Sequence, residues 1–212
     1  MARAWHTVTA VVAVVALVLQ SVLVVTGYGA LLDVEQPPLG VRLGRLISYF
    51  TIQSNLLVAA GAITLAVAPG RDGRGWRVLR LAGLVGITVT GLVHFLLLRP
   101  LLELHGWSLV CDRLLHLVVP LLAIAGWLLF GPRPRVSGRV VARALGWPVA
   151  WTAWTLAMGA ATGWFPYPFL DFDAKGWPSV LATCGCITLL FLGLFAGAAY
   201  LDRRLPSTHE RA

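Results

Sequence analysis

Residues 47–68 read Ile-Ser-Tyr-Phe-Thr-Ile-Gln-Ser-Asn-Leu-Leu-Val-Ala-Ala-Gly-Ala-Ile-Thr-Leu-Ala-Val-Ala. The run carries no formal charge, and about 20 such residues at a rise of about 1.5 Å cross the ~30 Å hydrocarbon core of a bilayer. Yet it opens with Thr51, Gln53, Ser54 and Asn55 within five positions. A hydroxyl or amide without a partner in an apolar medium is penalised by roughly 1–3 kcal/mol, so these side chains must face a protein interior or a wet cavity. The same reasoning singles out His94, Asp112 and His116, which are ionisable groups at the ends of other apolar runs.

Five further runs surround this one: Thr7 to Thr26, Val78 to Leu98, Leu114 to Phe130, Val141 to Gly163 and Ser179 to Leu201. Each is closed by arginine, proline or glycine. The reading is an all-α polytopic membrane protein, a single domain of six transmembrane helices. The chain of 212 residues is 58% hydrophobic and 12% charged, more apolar than the roughly 45–50% of a soluble domain. A secretory signal is the competing reading of the first run. Its apolar core would be shorter, about 7–15 residues, and Gly27-Tyr28-Gly29-Ala30 fits a small-residue cleavage site poorly.

A net charge of +8 raises the question of nucleic acid. The basic residues occur in short runs between apolar segments, so they read as topology signals and not as a nucleic-acid footprint. Twelve of the 17 basic residues fall on one side of the six runs: Arg3, Arg71, Arg74, Arg77, Arg80, Arg133, Arg135, Arg139, Arg143, Arg203, Arg204 and Arg211. By the positive-inside rule that side, which holds both termini, is cytoplasmic. Trp5 and Trp76 then lie near inner ends of spans, and Trp107, Trp164 and Trp177 near outer ends. Three cysteines cannot pair into a disulfide framework, and Cys184 and Cys186 read as buried thiols. Gly159 with Gly163, and Gly193 with Gly197, have the spacing that lets helices approach closely. Pro120 and Pro148 are expected to kink their spans, whereas Pro178 suits a first helical turn.

Topology also assigns depth. Thr51 lies about 6 Å below the outer end of its span, at 1.5 Å per residue. His94 and His116 come to a similar level, with Asp112 one turn above His116. Residues three or four apart share a helix face, so Ser48, Thr51 and Asn55 are expected to form one stripe and Asp112 with His116 another. If the stripes face each other, Thr51 is a nucleophile that His116 activates as general base, Asp112 orients the imidazole, and Asn55 donates to a developing oxyanion. Ser48, Asn55 and His94 would line the substrate pocket. No metal and no cofactor is called for by this chemistry. Asp171 and Asp173 read as solvated loop charges, and Cys111 is offset from His116 around its helix.

Three segments resemble a known family: Tyr49-Phe50-Thr51-Ile52-Gln53-Ser54-Asn55, Asp112-Arg113-Leu114-Leu115-His116-Leu117-Val118-Val119-Pro120, and Tyr167-Pro168-Phe169-Leu170-Asp171. They are similar to those of the bacterial six-span membrane proteins called the Pr-six-Pr family. These are in turn similar to the androgen-induced and androgen-dependent membrane hydrolases of animals. The resemblance implies hydrolysis of fatty acid esters by an intramembrane threonine and histidine, here Thr51 and His116, in a multi-pass protein of the bacterial inner membrane with a lipophilic substrate. The alternative is a non-catalytic protein that binds or transports a small lipophilic or ionic ligand in the same pocket. A further alternative is b-type haem held between His94 and His116.

Overall fold

The structure, a computed structural model, describes residues 1–27 and 37–206. The cleavage-site reading of Tyr28 to Ala30 and the topological use of Arg211 concern residues outside these. Nine α-helices account for most of the described residues, among which there is no strand. They are α1 (Ala2–Thr26), α2 (Leu39–Ser48), α3 (Phe50–Val67), α4 (Arg74–Val93), α5 (Gly106–Arg113), α6 (Val119–Phe130), α7 (Gly138–Thr162), the single turn α8 (Phe172–Lys175) and α9 (Trp177–Arg204). The coil runs on beyond α4 through a π-helical turn (His94–Leu98) and a 3₁₀ turn (Arg99–Leu101), and a second π-helical turn (Leu114–Val118) joins α5 to α6.

Five of the resulting helices are long and apolar enough to cross a membrane: Ala2–Thr26, Phe50–Val67, Arg74–Leu101, Gly106–Phe130 and Trp177–Arg204. Helix α7 is equally long at 25 residues, but its tryptophan, glycine, proline and threonine positions leave it short of the same apolar standard. Helices α3 and α4 are central, with 56% and 50% of their most apolar windows buried, against 17% for α9. Helix α1 packs along α3, α3 along α4, and α4 is flanked by α6 and α7. The close α3–α4 contact needs Gly83: a Cβ there would lie 3.1–3.3 Å from Leu57 Cβ and the backbone at Leu57 and Val58.

Several small-residue expectations are corrected. Gly159 faces the ring of Phe165 and not another helix, and a Cβ there would fall 2.0 Å from the ring. Gly163 is the left-handed C-cap of α7, at φ +69°. Gly193 and Gly197 have open space where a side chain would be, so among the described residues no neighbouring helix packs closely on them. Cys186 is exposed and not buried. Pro178 does lie in the first turn of α9. Asp171 is not a free loop charge, because its carboxylate caps α8 by accepting from the Asp173 and Ala174 N–H groups.

The arginine-rich segments gather at one end of the bundle. Asp72 pairs with Arg77 at 2.6 Å and also with Arg135, joining the α3–α4 loop to the α6–α7 loop. Asp202, 1% exposed near the end of α9, accepts from the Arg135 and Val136 N–H groups at 2.7 Å. Arg3 reaches the Val67 carbonyl, and Trp5 donates to the Leu122 carbonyl, which sets the start of α1 at this same end. The start of α3, the end of α4 and the start of α6 therefore meet at the opposite end. It is there that the polar residues come together.

Candidate functional site

The long second run is not one helix. It breaks at Tyr49, whose backbone is extended (φ −66°, ψ 129°), so that Thr51 lies in the first turn of α3. No proline or glycine marks the break; side chains satisfy it. Gln53 Nε2 donates to the Ile47 carbonyl and Trp151 Nε1 to the Ser48 carbonyl, supplying partners that a helix end otherwise lacks. The Tyr49 ring packs edge-on against Trp164 and Tyr167, at centroid distances of 5.9 and 5.7 Å. Tertiary contacts hold the chain in this conformation.

At the start of α3 the Thr51 hydroxyl meets two partners. Its Oγ1 is 3.3 Å from His116 Nε2 and 3.3 Å from the Tyr167 hydroxyl. The Thr51 N–H, an unpaired donor of the first helical turn, donates to the same phenolic oxygen at 3.3 Å. His116 Nδ1 faces acceptors only, the Asp112 carbonyl at 3.0 Å and Asp112 Oδ1 at 3.1 Å. The proton of a neutral His116 therefore belongs on Nδ1, and Nε2 presents its lone pair to Thr51. Hydrogen bonds then run in one direction: Tyr167 O–H to Thr51 Oγ1, Thr51 O–H to His116 Nε2, His116 Nδ1–H to Asp112. Burial raises the pKa of Tyr167, which keeps the phenol as a neutral donor.

His94 completes the cluster. Its Nε2 is 3.1 Å from Asp112 Oδ1, and its ring stacks on His116 at 3.7 Å and 11°. Parallel rings this close leave no room for a porphyrin between them, which removes the haem alternative. One donor atom each from His94, Asp112 and His116 lie within 4.8 Å of one another, but with the two rings parallel the lone pairs of both imidazoles do not converge on one ion.

Both histidines sit on π-helical turns, one ending the α4 coil and one opening α6. Such turns are rare and recur at functional sites, since the extra residue re-aims a side chain. Helix α4 comes close at Gly91, where a Cβ would stand 3.0 Å from the His116 carbonyl oxygen. The obstructing atom is backbone and has little room to yield. Gly91→Ala is therefore expected to destabilise the fold by about 1–3 kcal/mol, read as a lowered midpoint of thermal unfolding in detergent.

A cavity of about 270 Å³ opens onto the cluster, lined by Thr51, His94, Asp112, His116 and Tyr167 together with leucines and the aromatic rings of Tyr49, Trp164 and Phe165. A second cavity of about 90 Å³ lies among α3, α4, α7 and α9 and shares Thr51, His94, Leu98 and Tyr167 with the first. Thr51 thus stands in the wall between two apolar spaces.

Thr51, His94, Asp112 and His116 are brought together; Ser48 and Asn55 are placed otherwise. The break at Tyr49 puts Ser48 on α2, where its hydroxyl bonds the Gly44 carbonyl at 2.8 Å. Asn55 is 0% exposed, and its amide donates to the Thr51 carbonyl at 2.8 Å and the Leu115 carbonyl at 3.4 Å. It ties α3 to the π-helical turn carrying His116 and lines neither cavity. The oxyanion role expected of Asn55 therefore has no geometric basis, and Tyr167 takes the position beside Thr51. Cys111 turns toward α1, 3.1 Å from Gln20 Oε1, and away from His116.

No protein-family model, curated protein or solved structure matches this chain.

Proposed function

We propose that this protein is a six-span membrane hydrolase of lipid esters, with Thr51 as nucleophile and His116 as general base and acid. The observation that carries the reading is the aligned series Thr51 Oγ1 to His116 Nε2 at 3.3 Å and His116 Nδ1 to Asp112 Oδ1 at 3.1 Å, facing a cavity of about 270 Å³. It is the nucleophile, base and orienting acid arrangement of acyl-transfer enzymes.

Thr51 Oγ attacks the ester carbonyl carbon while His116 Nε2 takes the hydroxyl proton. The negative charge that forms on the carbonyl oxygen accepts a hydrogen bond from the Tyr167 O–H. Collapse of the tetrahedral adduct breaks the bond to the alkoxy oxygen, which leaves with the proton from His116. Water then gives a proton to His116 and adds to the acyl-threonine. The carboxylic acid departs, and the proton returns to Thr51. Asp112 steadies the imidazolium in both halves. An ester carbonyl held at Thr51 would direct its two arms into the two cavities, whose walls suit hydrocarbon.

Helix α7 is the sixth span in this reading, because its 25 residues measure about 37 Å at 1.5 Å per residue. By the positive-inside rule the arginine-rich end faces the cytoplasm, with both termini on the cytoplasmic side of a bacterial inner membrane and the Thr51 cluster near the outer leaflet. A lipid would reach the site sideways from the bilayer. Tight packing of α3 against α4 beside the cluster, and a cavity walled largely by leucines and aromatic rings, support a site that takes its substrate from the bilayer.

The test is reaction of the detergent-purified protein with a fluorophosphonate probe, with the adduct located by mass spectrometry of peptides. A single adduct on Thr51, lost in His116→Ala, is the expected result. No adduct, or one on another residue, would leave the cavity to a non-catalytic ligand.

A further inference from the structure

The arginine-rich end of the bundle, opposite the Thr51 cluster, holds a third cavity of about 40 Å³ between α1, α3, α4 and α6, with His6, Thr9, Arg80 and Trp127 in its wall. His6 is 6% exposed, and neither of its ring nitrogens has a hydrogen-bond partner among the described residues. Trp127 is 7% exposed, and its indole N–H likewise has no acceptor among them. Arg80 donates to the Gly131 and Pro132 carbonyls, one N–H to each. A guanidinium has five N–H groups, so three are left over. Among the described residues Arg80 forms no ion pair: Asp72 pairs with Arg77 and Arg135, and Asp202 accepts from the Arg135 and Val136 N–H groups. No carboxylate lines the cavity, and its one side-chain hydroxyl, that of Thr9, donates to the Trp5 carbonyl.

A cation in an apolar wall is costly unless an opposite charge meets it. This wall supplies a cation and unpartnered N–H donors but no acid, so its complement is an anion. Size narrows the class. A water takes up about 30 Å³ in the liquid, so the cavity admits one particle little larger than water and excludes a phosphate headgroup. His6 and Arg80 lie about 6 Å and about 9 Å from the starts of α1 and α4 at 1.5 Å per residue, within reach of the aqueous phase at that end. We propose that this cavity is a binding site for a monovalent anion of halide size, chloride being the abundant one, held by the His6 imidazole N–H and the Arg80 guanidinium. Bound there, the ion ties α1 to α4 and neutralises the arginine. The site is separate from the Thr51 cluster and stands whether or not that cluster is catalytic.

The test compares thermal unfolding of the full-length protein in detergent in sodium chloride and in sodium gluconate at equal ionic strength, gluconate being too large for the cavity. Wild type and Thr51→Ala should both unfold about 3 °C or more higher in chloride, by a shift that grows with the logarithm of its concentration, as mass action requires. Bromide should substitute for chloride. His6→Leu and Arg80→Met should need at least about tenfold more chloride for the same shift, whereas His6→Gln, which keeps an N–H donor, should stay closer to wild type. Crystals of wild type grown in bromide should give an anomalous peak between His6 and Arg80. Equal wild-type midpoints in the two salts overturn the site, and so does a chloride shift of the same size in His6→Leu and Arg80→Met, which marks an ordinary salt effect. Where those variants do not fold, the bromide crystal decides: a cavity without an anomalous peak overturns the proposal.

Discussion

Alanine at Thr51 is expected to lower ester turnover by about 10³-fold or more, and alanine at His116 by about 10²–10⁴-fold. The double variant should be little worse than the poorer single one, because a nucleophile without its base and a base without its nucleophile fail at the same step. Thr51→Ser keeps a hydroxyl 3.3 Å from His116 Nε2 and should retain a large part of the activity. These comparisons are interpretable because two of the contacts that Thr51 makes with its surroundings belong to its backbone. Its backbone carbonyl holds Asn55, and its backbone N–H holds Tyr167. Alanine preserves both contacts. The measurement is turnover of a medium-chain ester by purified protein, with thermal unfolding as the control. Turnover that persists in Thr51→Ala at the wild-type level would remove the nucleophile from the scheme.

The parts of this architecture legible in the sequence are those that hydropathy and charge record. Each apolar run is helical over most of its length, the second with a break at Tyr49, because in a chain this apolar the backbone must satisfy its own hydrogen bonds. The depth of a residue along such a helix follows from its position, which is why Thr51, His94, Asp112 and His116 could be placed at one level before their contacts were known. The break at Tyr49 was not legible. Helix ends are usually announced by glycine, proline or a local cap, whereas this one is stabilised by Trp151 from a distant helix and by Gln53 reaching back to Ile47. With the break unseen, spacing alone groups Ser48 with Thr51 and Asn55 on one stripe, which Ser48 does not join.

Tyr167 was missed as a site residue for a related reason. It lies between Pro166 and Pro168 in a segment with no helical period, where spacing gives no face and no depth. Only the return of that loop between α7 and α9 brings the phenol to Thr51. A tyrosine among prolines next to an apolar span is a weak signal by itself; a polar group that must be satisfied on re-entering an apolar region is the signal that could have drawn attention to it. The two π-helical turns are likewise silent in sequence. Their consequence is visible in Gly91, the one position on α4 that lets the His116 carbonyl approach so closely.

Tyr167→Phe separates the chemistry of the site from its packing. The ring would remain stacked on Phe169 at 5.3 Å and edge-on to Tyr49 at 5.7 Å, so the loop keeps its apolar contacts. What is lost is one oxygen, 3.3 Å from both Thr51 N and Thr51 Oγ1. Losing the acceptor strands the Thr51 N–H and should destabilise the fold by about 1–3 kcal/mol. Losing the donor removes a hydrogen bond to the oxyanion, an interaction stronger in the transition state than in the bound ester. The maximal rate should therefore fall by about 10²–10³-fold while KM changes little. A purely structural phenol would behave differently. Activity would then decline only in proportion to the unfolded fraction, and turnover per folded molecule, measured well below the unfolding midpoint, would equal that of wild type. A large loss at full folding assigns the hydroxyl to the reaction, because phenylalanine changes nothing else within reach of Thr51.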